Sequence, residues 1–95
     1  MKLTEIKLES RVRFSPDILF QEVQGDAVLL DMKSGVYFGL DRVGTRMWQI
    51  MAEHSVIRDV IAAILTEFDV PEERCREDVL VLVGRLRDQG IVILE

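Results

Sequence analysis

Hydrophobic and polar residues alternate strictly near the start of the chain. Apolar residues, with one serine among them, occupy the even positions from Ile6 to Phe14, and charged residues occupy the odd positions. A period of two is typical of a strand that buries one face. The pattern therefore predicts an extended segment over Ile6–Phe14, which Pro16 ends because proline has no amide donor for a strand ladder.

Three further runs rich in Val, Leu, Ile and Phe follow, and short polar gaps separate them. The runs are Ile18–Gln24, Ala27–Met32 and Val36–Leu40. The first gap, Gly25–Asp26, predicts a tight hairpin turn with positive φ angles, and the second, Lys33–Gly35, predicts a turn that ends in glycine. Because sequential strands usually pair, the runs predict an antiparallel meander in which Ala27–Met32 is central.

After Leu40 the hydrophobic period changes from two to about 3.6. Val43, Met47, Ile50 and Met51 recur at helical spacing, which predicts a helix over Arg42–His54 with these residues on its buried face. Trp48 lies beside them and is predicted to belong to the core. Asp41 directly precedes this helix, and aspartate is a favoured N-cap residue.

Two more helices are predicted in the second half of the chain. Ser55 is the expected cap of the second helix, which reaches Phe68, and Pro71 is expected at the first position of the third, with Gly90 just past its end. The fold class is therefore α+β, a three-stranded antiparallel sheet followed by three helices in a winged helix-turn-helix-like order. We expect one domain over residues 1–95, with an extended N-terminal segment over 1–17.

Composition and charge exclude several kinds of chemistry. Twelve Lys and Arg against seventeen Asp and Glu give a net charge of −5, which opposes binding to nucleic acid. With one cysteine and one histidine, Cys75 and His54, the chain holds no internal disulfide and no Cys/His zinc site. No apolar run has the length of about 18 residues that a membrane helix needs. We expect a cytoplasmic protein without cofactor or enzymatic activity.

The third strand lacks the features that usually protect a sheet edge. Edge strands normally carry a charge, a proline or a bulge that discourages pairing with another chain. This one carries neither charge nor proline over Val36, Tyr37, Phe38, Gly39 and Leu40. Two interpretations are open: Ile6–Phe14 or Ile91–Leu94 covers the edge, or the edge accepts an extended peptide as an additional strand.

Strand addition alone would bind a peptide weakly. A few ladder bonds at about 0.5–1.5 kcal/mol each reach about 5 kcal/mol, whereas micromolar binding needs about 8 kcal/mol. Side-chain contacts must supply the difference, and the third helix is the expected second wall. Asp78, Val81 and Arg85 share a flank of that helix, where Val81 is either a peptide contact or an isolated apolar surface residue.

A succession of short motifs resembles the PqqD-like family, whose members are also called RiPP precursor peptide recognition elements. The motifs extend through the sheet, the first helix and the third helix. They are Leu29-Leu30-Asp31, Ser34-Gly35-Val36-Tyr37, Leu40-Asp41-Arg42-Val43-Gly44, Trp48, Asp78-Val79, Leu82, Leu86 and Gly90-Ile91. The resemblance implies a non-catalytic module that binds the leader region of a ribosomally made precursor peptide and presents the peptide to modifying enzymes.

The resemblance also implies where the leader lies. In the family it adds to the third strand and occupies the cleft against the third helix. In this chain those elements are Val36–Leu40 and the helix positions Cys75, Asp78, Val79, Val81, Leu82 and Arg85.

The implied partners are the precursor leader peptide and a leader peptidase or another modifying enzyme of the same pathway, with no nucleic acid and no membrane. Lasso peptide biosynthesis is the favoured pathway, because a separate small recognition protein is common there. The alternatives are a peptide chaperone of the pyrroloquinoline quinone pathway and a winged-helix DNA-binding regulator.

Overall fold

The computed structural model describes residues 6–95. Within them the elements are β1 (Val12–Phe14), β2 (Ile18–Val23), β3 (Asp26–Asp31), β4 (Tyr37–Leu40), α1 (Arg42–Glu53), α2 (Ile57–Glu67), α3 (Glu72–Asp88) and β5 (Val92–Leu94). The α+β class, the antiparallel meander and the three helices are confirmed. Residues 1–5 of the predicted N-terminal segment lie outside the described residues.

The meander forms a three-stranded sheet in the order β2-β3-β4. Its first hairpin turn differs by one residue from the predicted Gly25–Asp26: the two positive φ angles belong to Gln24 (56°) and Gly25 (93°), and Asp26 already pairs with Val23. A two-residue turn with both residues in the left-handed region matches the twist of the flanking strands.

A second, two-stranded sheet corrects the predicted architecture. β1 pairs antiparallel with β5, so residues 6–95 form two sheets instead of one. The N-terminal segment is also not a continuous strand over Ile6–Phe14, because Ser10 closes a turn by donating its amide to the carbonyl of Lys7 (3.0 Å). Beside β1 the same segment contacts the start of α2, where the Arg58 amide donates to the carbonyl of Leu8 (2.9 Å).

The observed helix ends agree only in part with the caps predicted from the sequence. Asp41 caps α1 as predicted, and its Oδ1 accepts a hydrogen bond from the Gly44 amide at 2.8 Å. The predicted Ser55 cap of α2 is wrong: the N-cap residue is Val56, without a side-chain hydrogen bond, and the Ser55 carbonyl accepts the Val12 amide. Pro71 was predicted at the first helical position of α3, but it is the N-cap residue, and the helix begins one residue later at Glu72.

The core lies between the inner face of the three-stranded sheet and the helices. Ala27, Leu29, Phe38 and Leu40 point inward from the sheet. Trp48 of α1 is buried in this core, as predicted, and stacks on the ring of Phe14 at a centroid distance of 3.8 Å. Buried side chains of all three helices complete this core.

Gly90 ends α3 in a Schellman motif, and its replacement by alanine should destabilise the protein. Gly90 has a φ of +76° and donates to the Arg87 carbonyl, while Ile91 donates to the Leu86 carbonyl. A Cβ at this position would meet no atom within 4 Å, so the penalty is conformational. We expect Gly90→Ala to lower the free energy of unfolding by about 1 kcal/mol. Urea unfolding measures this, and an unchanged midpoint would contradict the assignment.

Candidate functional site

The outer edge of β4 is unpaired within residues 6–95. β3 lies on its inner side, and the two segments that could have covered the outer side, β1 and β5, pair with each other. The interpretation in which Ile6–Phe14 or Ile91–Leu94 fills this edge is therefore wrong. The described part of the chain leaves the edge available to a visiting strand.

The hydrogen-bonding pattern shows which backbone groups point outward from this edge. Asp31 and Val36 lie opposite each other in the register, and the Asp31 amide donates to the Val36 carbonyl at 2.9 Å. Bonding alternates along an antiparallel strand, so Phe38 also bonds toward β3. The amides and carbonyls of Tyr37 and Gly39 consequently point away from the sheet, where a guest strand would lie.

Asp31 fixes the turn that leads into β4. Its Oδ1 accepts the amide of Lys33 at 3.0 Å and that of Ser34 at 3.3 Å. Gly35, with a φ of +80°, closes the turn by donating its amide to the Asp31 carbonyl at 2.7 Å. The hydrogen bond from the Lys33 amide is the main cause that lowers the pKa of the Asp31 carboxyl. The ionised carboxylate therefore favours the conformation that positions the start of β4.

Replacing Asp31 with asparagine should remove a pH-dependent part of the stability. Because the pKa of Asp31 is lowered in the folded chain, its contribution is fully present above the unfolded pKa of about 3.9 and is lost as the pH falls through the folded value. Urea unfolding should find Asp31→Asn less stable than the wild type near neutral pH, with a difference that shrinks toward about pH 3. A difference that is constant across this range would contradict the role of the charge.

A groove separates β4 from α3. The part next to the strand has a volume of about 240 Å³ and is lined by Phe38, Gly39 and Leu40 from the strand side and by Leu82 and Arg85 from α3. The Arg85 guanidinium carbon lies 5.2 Å from the centroid of the Phe38 ring, a cation–π contact that joins the two walls. A strand added to the edge of β4 would therefore lie directly against α3.

The groove continues along α3 toward the first turn of α1. This part has a volume of about 540 Å³ and shares Leu82 and Arg85 with the part beside the strand. Val81 is 55% exposed here, as its position on the flank of the helix predicted. Val43 and Met47 of α1 lie across from α3 and add apolar surface. The combination suits an apolar side chain of a guest.

Acidic groups border the apolar surface of the groove. Asp41, Glu77 and Asp78 all line it. Asp41 is engaged as the N-cap of α1, and Asp78 lies 3.8 Å from the guanidinium of Arg74. Among the described residues that line this groove, Arg85 carries the positive charge. The groove thus combines an apolar centre with charges of both signs.

Two of the helix positions implied by the family resemblance do not line the groove. Val79 is fully buried in the core. Cys75 is buried and borders a cavity of about 310 Å³ that adjoins the groove, because both are lined by Val43, Met47 and Asp78. Burial raises the pKa of the Cys75 thiol, and the nearby charges of Asp78 and Glu72 raise it further. A thiol that stays protonated in an apolar setting is a poor nucleophile.

Several groove residues did not emerge as site residues from the sequence. Val43 was expected on the buried face of the first helix, yet it is 44% exposed and lines the groove with Gly44 and Glu77. The available signal was the position of Val43 at the second residue of α1, in the first turn of the helix. Tyr37, which the sequence did select, is 71% exposed and projects on the side of the sheet opposite to the groove.

Residues 6–95 contain no cluster of three or more His, Cys, Asp or Glu side chains arranged to hold a metal ion. None of their helices is long and apolar enough to cross a membrane.

Comparisons with known proteins identify relatives of this fold. The family model described as coenzyme PQQ synthesis protein D (PqqD) matches residues 26–92. One similar structure is TbiB1 in complex with the TbiA(beta) leader peptide, with a TM-score of 0.77, 26% identity and coverage of 84% of this chain and 93% of that chain. Another is a lasso peptide synthetase B1 complexed with the leader peptide, with a TM-score of 0.76, 25% identity and coverage of 87% and 98%. No curated protein matches the sequence significantly.

Proposed function

The chain belongs to the PqqD family, and from this membership we propose that it binds the leader region of a ribosomally synthesised precursor peptide and presents the peptide to modifying enzymes. The leader adds as a strand to the outer edge of β4. The protein itself catalyses no reaction, uses no cofactor and acts in the cytoplasm. Residues 1–95 serve as a single recognition domain for this purpose.

The observation that carries the proposal is the unpaired edge of β4 beside an open groove. The outward amides and carbonyls of Tyr37 and Gly39 supply at most four ladder bonds, which contribute about 2–6 kcal/mol. Since micromolar binding needs about 8 kcal/mol, apolar contacts in the groove must add to the ladder. Val81 and Leu82 provide this surface, and Arg85 borders it. Val79 and Cys75 do not line the groove, and they contribute by packing α3 against the core.

Lasso peptide biosynthesis is the proposed pathway, and a leader peptidase or another modifying enzyme of that pathway is the proposed recipient. Both similar structures contain a leader peptide, and one of them is a lasso peptide synthetase B1. The alternative is the pyrroloquinoline quinone pathway, for which the family is named. Neighbouring genes distinguish the two, since a lasso pathway requires a short precursor, a peptidase and an ATP-dependent cyclase.

A direct titration tests the proposal. A fluorescently labelled synthetic leader from the precursor encoded beside this gene should bind saturably, with one leader per protein and a dissociation constant at or below about 1 μM. A scrambled leader of the same composition is the control. The absence of saturable binding would contradict the proposed function.

The same assay addresses the winged helix-turn-helix interpretation, in which α3 would be the recognition helix. Addition of the protein should not change the anisotropy of a labelled DNA duplex even at low salt, because a protein with a net charge of −5 repels phosphates. Duplex binding that weakens steeply with salt, in place of leader binding, would favour a DNA-binding regulator.

A further inference from the structure

The three-stranded sheet exposes an apolar face on the side opposite to the helices. Side chains alternate between the two faces of a strand, and the inward positions include Phe20, Leu29 and Phe38. The alternate positions therefore point outward. In the register they form a cross-strand row of Leu19, Leu30 and Tyr37 and, next to it, a row of Gln21, Val28 and Gly39.

This face departs from the usual pattern of an antiparallel sheet, in which one side is buried and the solvated side is polar. Leu19, Val28 and Tyr37 are exposed, and Val23 extends the apolar surface toward the first hairpin. Neither of the two cross-strand rows contains a charged side chain. Contiguous exposed apolar patches of a few hundred Å² commonly mark interaction surfaces.

The size of the face limits what it can bind. Three strands about 4.8 Å apart and about 20 Å long present about 300 Å². A stable protein interface buries about 800 Å² on each partner. The face is therefore too small to hold a second copy of this chain in a stable dimer, and a partner must find further contact area beside it.

The bound leader would supply that additional area. A strand added to the outer edge of β4 widens the sheet by one strand, and alternate leader side chains join the exposed face next to Tyr37 and Gly39. The outer face and the leader then form one continuous surface. The groove against α3 lies on the other side of the sheet and remains reserved for the inward side chains of the leader.

We propose that the outer face of the sheet, with Leu19, Val28, Leu30 and Tyr37 at its centre, is the docking surface for the modifying enzyme that acts on the leader-bound precursor. The partner is a folded enzyme domain with an apolar, uncharged patch that covers this face and the adjoining leader strand together. This inference rests on the proposed leader binding. It implies that the enzyme binds more tightly to the complex with leader than to the free protein.

Lysine substitutions on the outer face separate enzyme docking from leader binding. Leu19 is 45% and Val28 is 42% exposed, so a lysine at either position can remain solvated without disturbing the core. Neither residue lines the groove against α3. Ile93→Lys is the matched control, because Ile93 is 37% exposed but lies on the two-stranded sheet.

Each variant is titrated first with the labelled synthetic leader. It is then titrated with the purified peptidase encoded with the precursor, once without leader and once with unlabelled leader present. Leu19→Lys and Val28→Lys should keep the wild-type affinity for the leader and weaken peptidase docking about tenfold or more. Ile93→Lys should match the wild type in both titrations. The wild type should bind the peptidase more tightly when the leader is present.

The other outcomes overturn the inference in distinguishable ways. Unchanged peptidase docking by both lysine variants would show that the enzyme binds elsewhere. Sedimentation that detects a wild-type dimer and a monomeric Leu19→Lys variant would assign the face to self-association. A wild-type protein that does not bind the leader at all would refute the proposed function, and the composite surface with it.

Discussion

Replacing Gly39 with proline is expected to weaken leader binding by about 30-fold or more while the domain stays folded. The Gly39 amide points outward from the edge of β4, so its loss does not disturb the ladder with β3. The substitution removes a hydrogen bond to the leader and leaves a leader carbonyl buried without a donor, which together cost about 2 kcal/mol or more. Anisotropy with the labelled leader measures the effect.

Gly39→Ala is the matched control for the proline variant. A Cβ at this position would meet no atom within 4 Å, and Gly39 is not in the left-handed region, so alanine fits and the amide is retained. Its leader affinity should remain within about threefold of the wild type. Phe38→Pro is not a suitable test, because the Phe38 amide bonds toward β3 and its loss would damage the sheet. Wild-type affinity of a folded Gly39→Pro variant would contradict strand addition at this edge.

Replacing Val81 with aspartate should reduce leader affinity by about tenfold or more. The Val81 side chain lines the groove and is over half exposed, so the folded protein tolerates a polar residue there. A bound leader would cover the position and strip water from the aspartate, a cost that pairing with Arg85, four residues later on α3, offsets only in part. Glu77 and Asp78 lie four and three residues earlier on α3 and add like-charge repulsion.

The control for Val81→Asp is Ala62→Asp, which adds the same charge at an exposed position of α2. It should leave the leader affinity unchanged. Calorimetric titration of both variants, together with their thermal unfolding, separates lost binding from lost stability. If Val81→Asp binds the leader as well as the wild type, Val81 is an isolated surface residue and the groove does not hold the leader at this point.

The elements around the site were predictable because their signals are local. Runs rich in Val, Leu, Ile and Phe, a glycine at each turn and Asp41 before a helical pattern are sufficient to place β3, β4 and α1. The N-terminal segment was not predictable in the same way. Its strict alternation specifies a buried face without specifying a partner. The pairing with β5 and the hydrogen bonds of Leu8 and Ser10 to the start of α2 join residues distant in sequence.

The site itself was predictable at the level of elements and less so at the level of side chains. The bare third strand and the flank with Asp78, Val81 and Arg85 do lie together across a groove. Cys75 and Val79 lie on the buried face because they are four residues apart on a helix whose apolar side faces the core. The outward direction of the Tyr37 and Gly39 amides depends on the hairpin register, which composition does not reveal.

The most direct test of strand addition is residue-specific amide hydrogen exchange in β4, followed by NMR with and without saturating leader. In the free protein the Phe38 amide should exchange slowly, because it bonds toward β3, and the Tyr37 and Gly39 amides should exchange fast. Saturation with leader should slow exchange at Tyr37 and Gly39 by about tenfold or more. Saturable leader binding that leaves both amides in fast exchange would contradict the central claim.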